Sequence, residues 1–357
     1  MSKQDIINSF DPNDVGLADR LFGLPFDEIT ADLIIIPVPW EVTVSYASGT
    51  AGGPEAILQA STQVDLYQSD IPDAWKMGMY MLPVPGEILE KSSKFRSMAE
   101  GYIQWLESGS PDEDSSSHMG VPEEVNRACK EMVDWVYAQA KHYLGRGKLV
   151  ALLGGDHSTP LGLIRAVAEL HQEFGVLQLD AHADLREAYE GFEYSHASIA
   201  YNFVDIPQIS KLVQVGIRDI CEAEVEAARQ NTKISIFQDS QLKAAQYEGK
   251  TWKSLCAEII KLLPDNVYIT FDIDGLDPKL CPHTGTPVAG GLELDQVLYL
   301  FRQLVLAGKQ IIGFDLVEVA PGPEGDEWDG NVAARLLYRL ANLYGVSQGK
   351  LKIQETL

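Results

Sequence analysis

Basic residues are scarce in this chain. Lys and Arg number 28 against 52 Asp and Glu, a formal charge of -24 at pH 7. That imbalance speaks against nucleic acid or an anionic membrane as partner, since like charges repel over the whole surface. It favours cationic substrates or metal ions, and it also keeps a surface soluble. Cysteine is scarcer still. Cys129, Cys221, Cys256 and Cys281 are widely spaced with no CxxC pairing, which fits free thiols in a reducing compartment. No apolar run approaches the roughly 20 residues of a membrane span. The first residues, Met1 to Asp5, carry neither a basic nor an apolar signal region. A soluble, cytoplasmic protein is therefore expected.

What is present is core-forming sequence, with 45% hydrophobic residues. Short apolar runs punctuate the chain at 32–37, 148–153, 175–180, 211–215, 233–237, 267–272 and 311–315. Most are continuous and rich in β-branched residues, the pattern of strands buried on both faces of a parallel sheet. Helical patterns alternate with them. Pro122-Glu123-Glu124 opens an amphipathic segment running to Tyr143, with Gly145 as its stop. Further helices are expected at 161–173, 222–230, 251–263, 294–307 and 332–343. This order implies an α/β fold with a mainly parallel sheet. No repeat or linker divides the chain, so 1–357 reads as a single domain. The polar stretch 107–123 reads as a mobile surface insertion.

Three segments concentrate chemistry where predicted strands end, the place open α/β sheets put their ligands. The first is Gly154-Gly155-Asp156-His157-Ser158, whose glycines should let the backbone turn sharply and deliver His157. The second is Asp180-Ala181-His182-Ala183-Asp184, with no Lys or Arg between Gly175 and Asp184. The third is Asp272-Ile273-Asp274-Gly275-Leu276-Asp277-Pro278. In extended chain Asp180, His182 and Asp184 share one side, as do Asp272 and Asp274. Any one segment alone could be ordinary structure, such as a capped turn or a hydrogen-bonded histidine. Together they offer four carboxylates and two imidazoles without a basic partner, which calls for an external cation. So many negative ligands suit two divalent ions sharing carboxylates better than one.

At these residues the sequence closely resembles the ureohydrolase family, which contains the arginases, agmatinases, guanidinobutyrases, formimidoylglutamases and guanidine hydrolases. Thr284-Gly285-Thr286-Pro287 and Ser48-Gly49-Thr50-Ala51-Gly52-Gly53-Pro54 extend the likeness, which covers roughly 33–343 in the right order. The resemblance implies the arginase–deacetylase fold, a three-layer α/β/α arrangement around an eight-stranded, mainly parallel sheet. It implies two Mn2+ per chain, with Ni2+ the alternative in the guanidine hydrolase branch, and homotrimers or homohexamers. By the family pattern His157, Asp180, Asp184 and Asp272 would bind one ion, and His182, Asp180, Asp272 and Asp274 the other. Asp180 and Asp272 would bridge. His196 aligns with the family's histidine beside the metals, and Glu318 with the carboxylate that receives the guanidinium.

The implied reaction is hydrolysis of a guanidino C–N bond to urea plus an amine, by attack of a metal-bridging hydroxide. Asp274, His196 and Glu318 would be the catalytic residues, Asp274 and His196 handling the proton of the leaving nitrogen. The substrate would be a small cationic guanidino compound. Agmatine is favoured, with free guanidine, arginine or a guanidino acid as alternatives. The loop 185–195 has no Asn, and its only Ser precedes His196, unlike the arginine-recognising loop of true arginases. Glu318, His196, Tyr189 and Glu190 are the expected substrate contacts. Glu187 and Glu193 could also receive an amine, and Trp40, Tyr46, Phe192 and Tyr194 could join Tyr189 in narrowing the pocket. The Gly/Pro-rich acidic segment 320–329 looks more like the guanidine hydrolase branch. A single-zinc deacetylase would need fewer ligands than are present. A metal-binding regulator or pseudoenzyme would not need the whole set.

Overall fold

The computed structural model describes residues 1–111 and 118–354. Its centre is one eight-stranded sheet, all of whose paired strands run parallel. In chain order the strands are β1 (Leu33–Val38), β2 (Met79–Met81), β3 (Leu149–Gly154), β4 (Phe174–Leu179), β5 (Ile209–Ile217), β6 (Ile234–Gln238), β7 (Asn266–Asp272) and β8 (Gln310–Val317). Their order across the sheet is β2-β1-β3-β8-β7-β4-β5-β6. Every residue of β1, β3 and β4 is buried. That explains their continuous rather than alternating apolar sequence: helices cover both faces. Seven strands match the expected runs. β2 does not, being three residues long at the sheet edge.

Among the described residues eleven α-helices surround the sheet. They are α1 (Lys3–Ser9), α2 (Gly53–Ser61), α3 (Gly86–Glu107), α4 (Val121–Leu144), α5 (Leu161–Ala168), α6 (Ile199–Val204), α7 (Glu222–Gln230), α8 (Asp239–Tyr247), α9 (Trp252–Leu262), α10 (Leu294–Leu306) and α11 (Trp328–Ser347). α4 carries Pro in its first turn and Gly145 at its C-cap, and buries Val125, Cys129, Met132, Val133 and Val136. Helices flank the expected insertion 107–123. α3 runs to Glu107 and α4 begins at Val121, while 112–117 lie outside the described residues. None of the described helices is long and apolar enough to cross a membrane.

The strand order decides where function can sit. β3, β8, β7 and β4 are consecutive neighbours in the sheet, so their carboxyl ends open on one another. The chain moves from β3 to β4 across two strands that it lays down much later. That leaves a crevice above the sheet where the crossing direction changes.

Candidate metal centre

The first segment leaves β3 through Gly154 and Gly155. Neither glycine has a positive φ, so the expected sharp turn is not their purpose. They permit close approach instead. A Cβ on Gly154 would lie 2.1 Å from Thr159 Oγ1, and one on Gly155 would lie 2.0 Å from the Trp40 carbonyl oxygen. The Gly155 carbonyl also accepts the Glu318 N–H at 2.7 Å, so this contact couples the ends of β3 and β8. Gly155→Ala is expected to destabilise the fold by about 3 kcal/mol through overpacking against backbone. A loss under about 1 kcal/mol in chemical denaturation would contradict that assignment.

His157 is buried beneath the crevice. Its Nε2 lies 2.9 Å from Thr270 Oγ1. That hydroxyl in turn donates to Asp315 Oδ1 at 2.9 Å, and Tyr268 donates to Asp315 Oδ2 at 2.8 Å. With its own hydrogen committed to Asp315, Thr270 must accept from His157 Nε2–H. The lone pair is thereby left on Nδ1, which has no hydrogen-bond partner. Around that atom stand Asp180 Oδ2 at 3.0 Å, Asp184 Oδ2 at 3.0 Å and Asp272 Oδ2 at 3.3 Å. A buried lone pair facing three carboxylates is stable only around a cation.

A second cluster adjoins the first. His182 Nδ1 lies 3.0 Å from Asp274 Oδ2 and 3.6 Å from Asp180 Oδ1. Among the described residues the groups placed to hold an ion are His157, Asp180 and Asp272, and Asp180, His182 and Asp274. Asp180 belongs to both. Asp272 belongs to the first only, and its Oδ1 accepts the Asp274 N–H at 2.8 Å. The carboxylates are aimed by neighbours. Gln178 donates to Asp180 Oδ2 at 2.8 Å and is itself held by Gln214 at 2.9 Å. The Ala181 N–H donates to Asp274 Oδ1 at 3.0 Å. Asp184 and Glu318 both take left-handed backbone conformations, with φ of 53° and 62°. Each costs on the order of 1 kcal/mol and persists because the surroundings over-determine it.

Left to protein groups alone, protons must neutralise this cluster. Burial works against a charged His157, yet Asp180, Asp184 and Asp272 hold its pKa well above the ordinary value. His182 is carried up to about 12 by Asp274 and Asp180 against the same burial. Burial and the Asp180 charge push Asp184 up to about 7. Burial, Asp274 and Asp180 also raise Asp272 strongly. Two divalent ions would replace those protons, and the donor set, carboxylate oxygen with imidazole nitrogen, suits manganese, nickel or zinc.

Glu318 follows β8. Its Oε1 accepts the His157 N–H at 2.8 Å, its carbonyl accepts Thr284 Oγ1–H at 2.8 Å, and burial with nearby Asp156 raises its pKa. His196 closes another side. Thr43 and Ser195 hydroxyls lie 3.5 and 3.3 Å from its Nδ1, and each already accepts a backbone N–H. Each hydroxyl can donate to Nδ1 or accept from it, according to the ring tautomer. Burial and the nearby histidines lower the His196 pKa to about 3, so the ring is neutral at physiological pH.

These groups share one cleft of about 180 Å³, lined by His157, His182, Asp184, Asp272, His196, Glu318 and Tyr189. Asp180 and Asp274 sit just beneath it, fully or almost fully buried. Glu190 is not part of the lining. Its Oε2 is buried without a partner, in the field of Glu107, Arg96 and Arg186. Glu187 and Glu193 face solvent, Trp40 and Phe192 are fully buried, and Tyr46 is exposed. Of the aromatics only Tyr189 reaches the cleft, its ring edge-on to His196 at 6.2 Å. The structure adds Ser45, Arg186, Asp219, Glu224 and Thr286 to the lining. Asp219 lies two residues beyond β5, so the strand-end rule would have found it had that strand been carried to Ile217. Glu224 is committed elsewhere, capping α7 and accepting the Leu185 N–H at 3.0 Å.

The model of the Arginase family matches residues 31–342. The chain belongs to the arginase family. An N(1)-aminopropylagmatine ureohydrolase of Thermus thermophilus is 32% identical, covering 92% of this chain and 94% of that protein. An agmatinase of Neisseria meningitidis is 30% identical over 96% of each. The solved agmatine ureohydrolase of Thermoplasma volcanium superposes with a TM-score of 0.66 at 20% identity, covering 97% of this chain and 99% of that one. That last likeness establishes the arginase fold. As an arginase-family member the protein is a hydrolase acting on C–N bonds.

Proposed function

We propose that this arginase-family hydrolase cleaves the guanidino C–N bond of a small cationic guanidino compound of the agmatine type, releasing urea and an amine. The convergence of His157, Asp180, Asp184 and Asp272 with His182 and Asp274 beside Glu318 carries this reading. His157, Asp180, Asp184 and Asp272 would hold one Mn2+, and His182, Asp180 and Asp274 the other. When bound, such ions supply the nucleophile by lowering the pKa of water towards neutrality.

The chain's own groups do the rest. Glu318 clasps the guanidinium through paired, charge-assisted hydrogen bonds and fixes its carbon over the metal site. Neutral His196 relays a proton to the departing amine together with Asp274. Asp219 lines the cleft and has no ion-pair partner among the described residues. It replaces Glu190 as the carboxylate placed to receive a cationic tail. The names of the Thermus and Neisseria relatives support an agmatine-like substrate. One observation favours free guanidine as a second reading. The Arg186 guanidinium lies 4.7 Å over the Tyr189 ring in the cleft lining, where it opposes a second positive charge on the substrate.

Urea release by the Mn2+- or Ni2+-loaded protein separates these readings. Agmatine or N(1)-aminopropylagmatine is expected to react at least about tenfold faster than arginine, guanidinobutyrate or guanidine, a difference of about 1.4 kcal/mol. Urea from guanidine alone would establish the second reading, and urea from none would overturn both. Metal analysis should find about two transition-metal ions per chain, and fewer would exclude a binuclear centre.

A further inference from the structure

A second histidine–aspartate pair lies outside the metal cluster. Asp329, in the first turn of α11, is fully buried, and His283 satisfies both of its oxygens. The His283 backbone N–H donates to Oδ1 at 2.9 Å, and ring Nδ1 lies 2.9 Å from Oδ2. One residue thus makes a two-pronged contact from the loop after β7 to the start of the last helix.

The neighbours of His283 show what this contact fixes. Thr284 Oγ1 donates to the Glu318 carbonyl at 2.8 Å. A Cβ on Gly285 would lie 3.1 Å from Glu318 Oε2, so the backbone there walls the carboxylate directly. Thr286 Oγ1 donates to Asp274 Oδ2 at 3.3 Å. On the facing segment, a Cβ on Gly322 would lie 2.9 Å from His283 Cε1. The chain from Glu318 to Asp329 is therefore touched at its start, middle and end by three consecutive residues, His283, Thr284 and Gly285. Glu318 itself sits in a left-handed conformation that independent restraints must hold.

We infer that His283 and Asp329 are a positioning pair that sets the Glu318 carboxylate and the Gly285 backbone at the spacing a guanidinium head requires. The inference rests on the role proposed above for Glu318. The pair touches neither the substrate carbon nor a metal ligand. Its effect passes through Thr284 and Gly285, so it acts on binding of the guanidinium head and not on the chemical step. Loss of uniform binding raises KM and leaves kcat nearly unchanged.

The test compares H283A with H283N, whose side-chain amide can donate to Asp329 Oδ2 from nearly the place of Nδ1. With the metal-loaded enzyme and whichever guanidino compound it hydrolyses, H283A should raise KM about tenfold or more, with kcat within about threefold and metal content unchanged. H283N should recover most of the loss. Wild-type kinetics in H283A would overturn the inference. So would H283N as impaired as H283A, or a fall in kcat that tracks lost metal. Hydrogen exchange provides a readout independent of turnover. Amides of 319–327 should exchange about tenfold faster or more in H283A and near normally in H283N. Unchanged exchange in H283A would overturn the inference even if no guanidino compound proved to be a substrate, an outcome that would by itself count only against the proposed function.

Discussion

Asp180→Asn is expected to lower kcat by at least about a thousandfold, or about 4 kcal/mol, and to leave fewer than two metal ions per chain. Among the described residues Asp180 alone belongs to both ion-holding groups. Its two oxygens are already committed. Oδ1 accepts the His182 N–H at 2.6 Å and faces His182 Nδ1, while Oδ2 accepts from Gln178 and faces His157 Nδ1. An amide nitrogen in either place would meet an N–H donor that it cannot accept from. The variant also removes the one charge both ions would share. Folding should be weakened as well, because against burial His157 and His182 hold the Asp180 carboxylate well below the usual carboxylate range, and Asn gives up the stability that this charge contributes at neutral pH. Metal quantification beside urea release decides the matter. Two ions per chain with near-normal turnover would remove Asp180 from the shared position.

Glu318→Gln should cost about a hundredfold to a thousandfold in kcat/KM, about 3–4 kcal/mol, since one carboxylate oxygen becomes a donor facing a donor. Stability should move the other way. The Glu318 pKa is raised by burial and by Asp156. A group raised on folding exacts its cost as pH climbs through the folded value and none below the ordinary carboxylate range. Gln cannot ionise, so at neutral pH the variant should be at least as stable as the parent, the exchange of stability for activity expected at functional sites. Equilibrium denaturation and steady-state kinetics on one preparation test both halves. Undiminished kcat/KM would take Glu318 out of guanidinium binding, whereas a large loss of stability would mark it as structural.

The sheet was legible in the sequence because its strands are buried on both faces, and continuous runs such as Leu149–Gly154 have few other fates. β2 was not, since Met79-Tyr80-Met81 is too short to show a period. α3 was missed for a different reason. It buries only Ile88, Ser92, Ala99 and Ile103, so its polar face dominates the pattern. At the site, His157, the Asp180–Asp184 segment and Asp272–Asp274 were legible because each follows directly from a strand end. Glu190 falls outside the cleft lining because the loop that carries it is set by distant contacts. Asn126 on α4 donates to the Gly191 carbonyl at 3.2 Å and accepts the Glu193 N–H at 2.8 Å. Nothing local could report that. Gly155 was correctly singled out for the wrong reason, since the close neighbour that demands it, the Trp40 carbonyl, lies over a hundred residues away in the chain.

The adjacency of β3, β8, β7 and β4 has a consequence for how the molecule matures. The ligand-bearing residues run from His157 to Asp274, over a hundred residues of chain, so only a long stretch of the chain contains a complete site. Whatever ties them together acts as a cross-link closing a loop of that length, a constraint that in disulfide-bonded chains can be worth about 4–5 kcal/mol. The sheet must assemble against the mutual repulsion of its own aspartates and is secured only when the last of these strands is in place. Metal uptake would then be the closing event of folding, a clasp on the finished sheet as much as a reagent for catalysis.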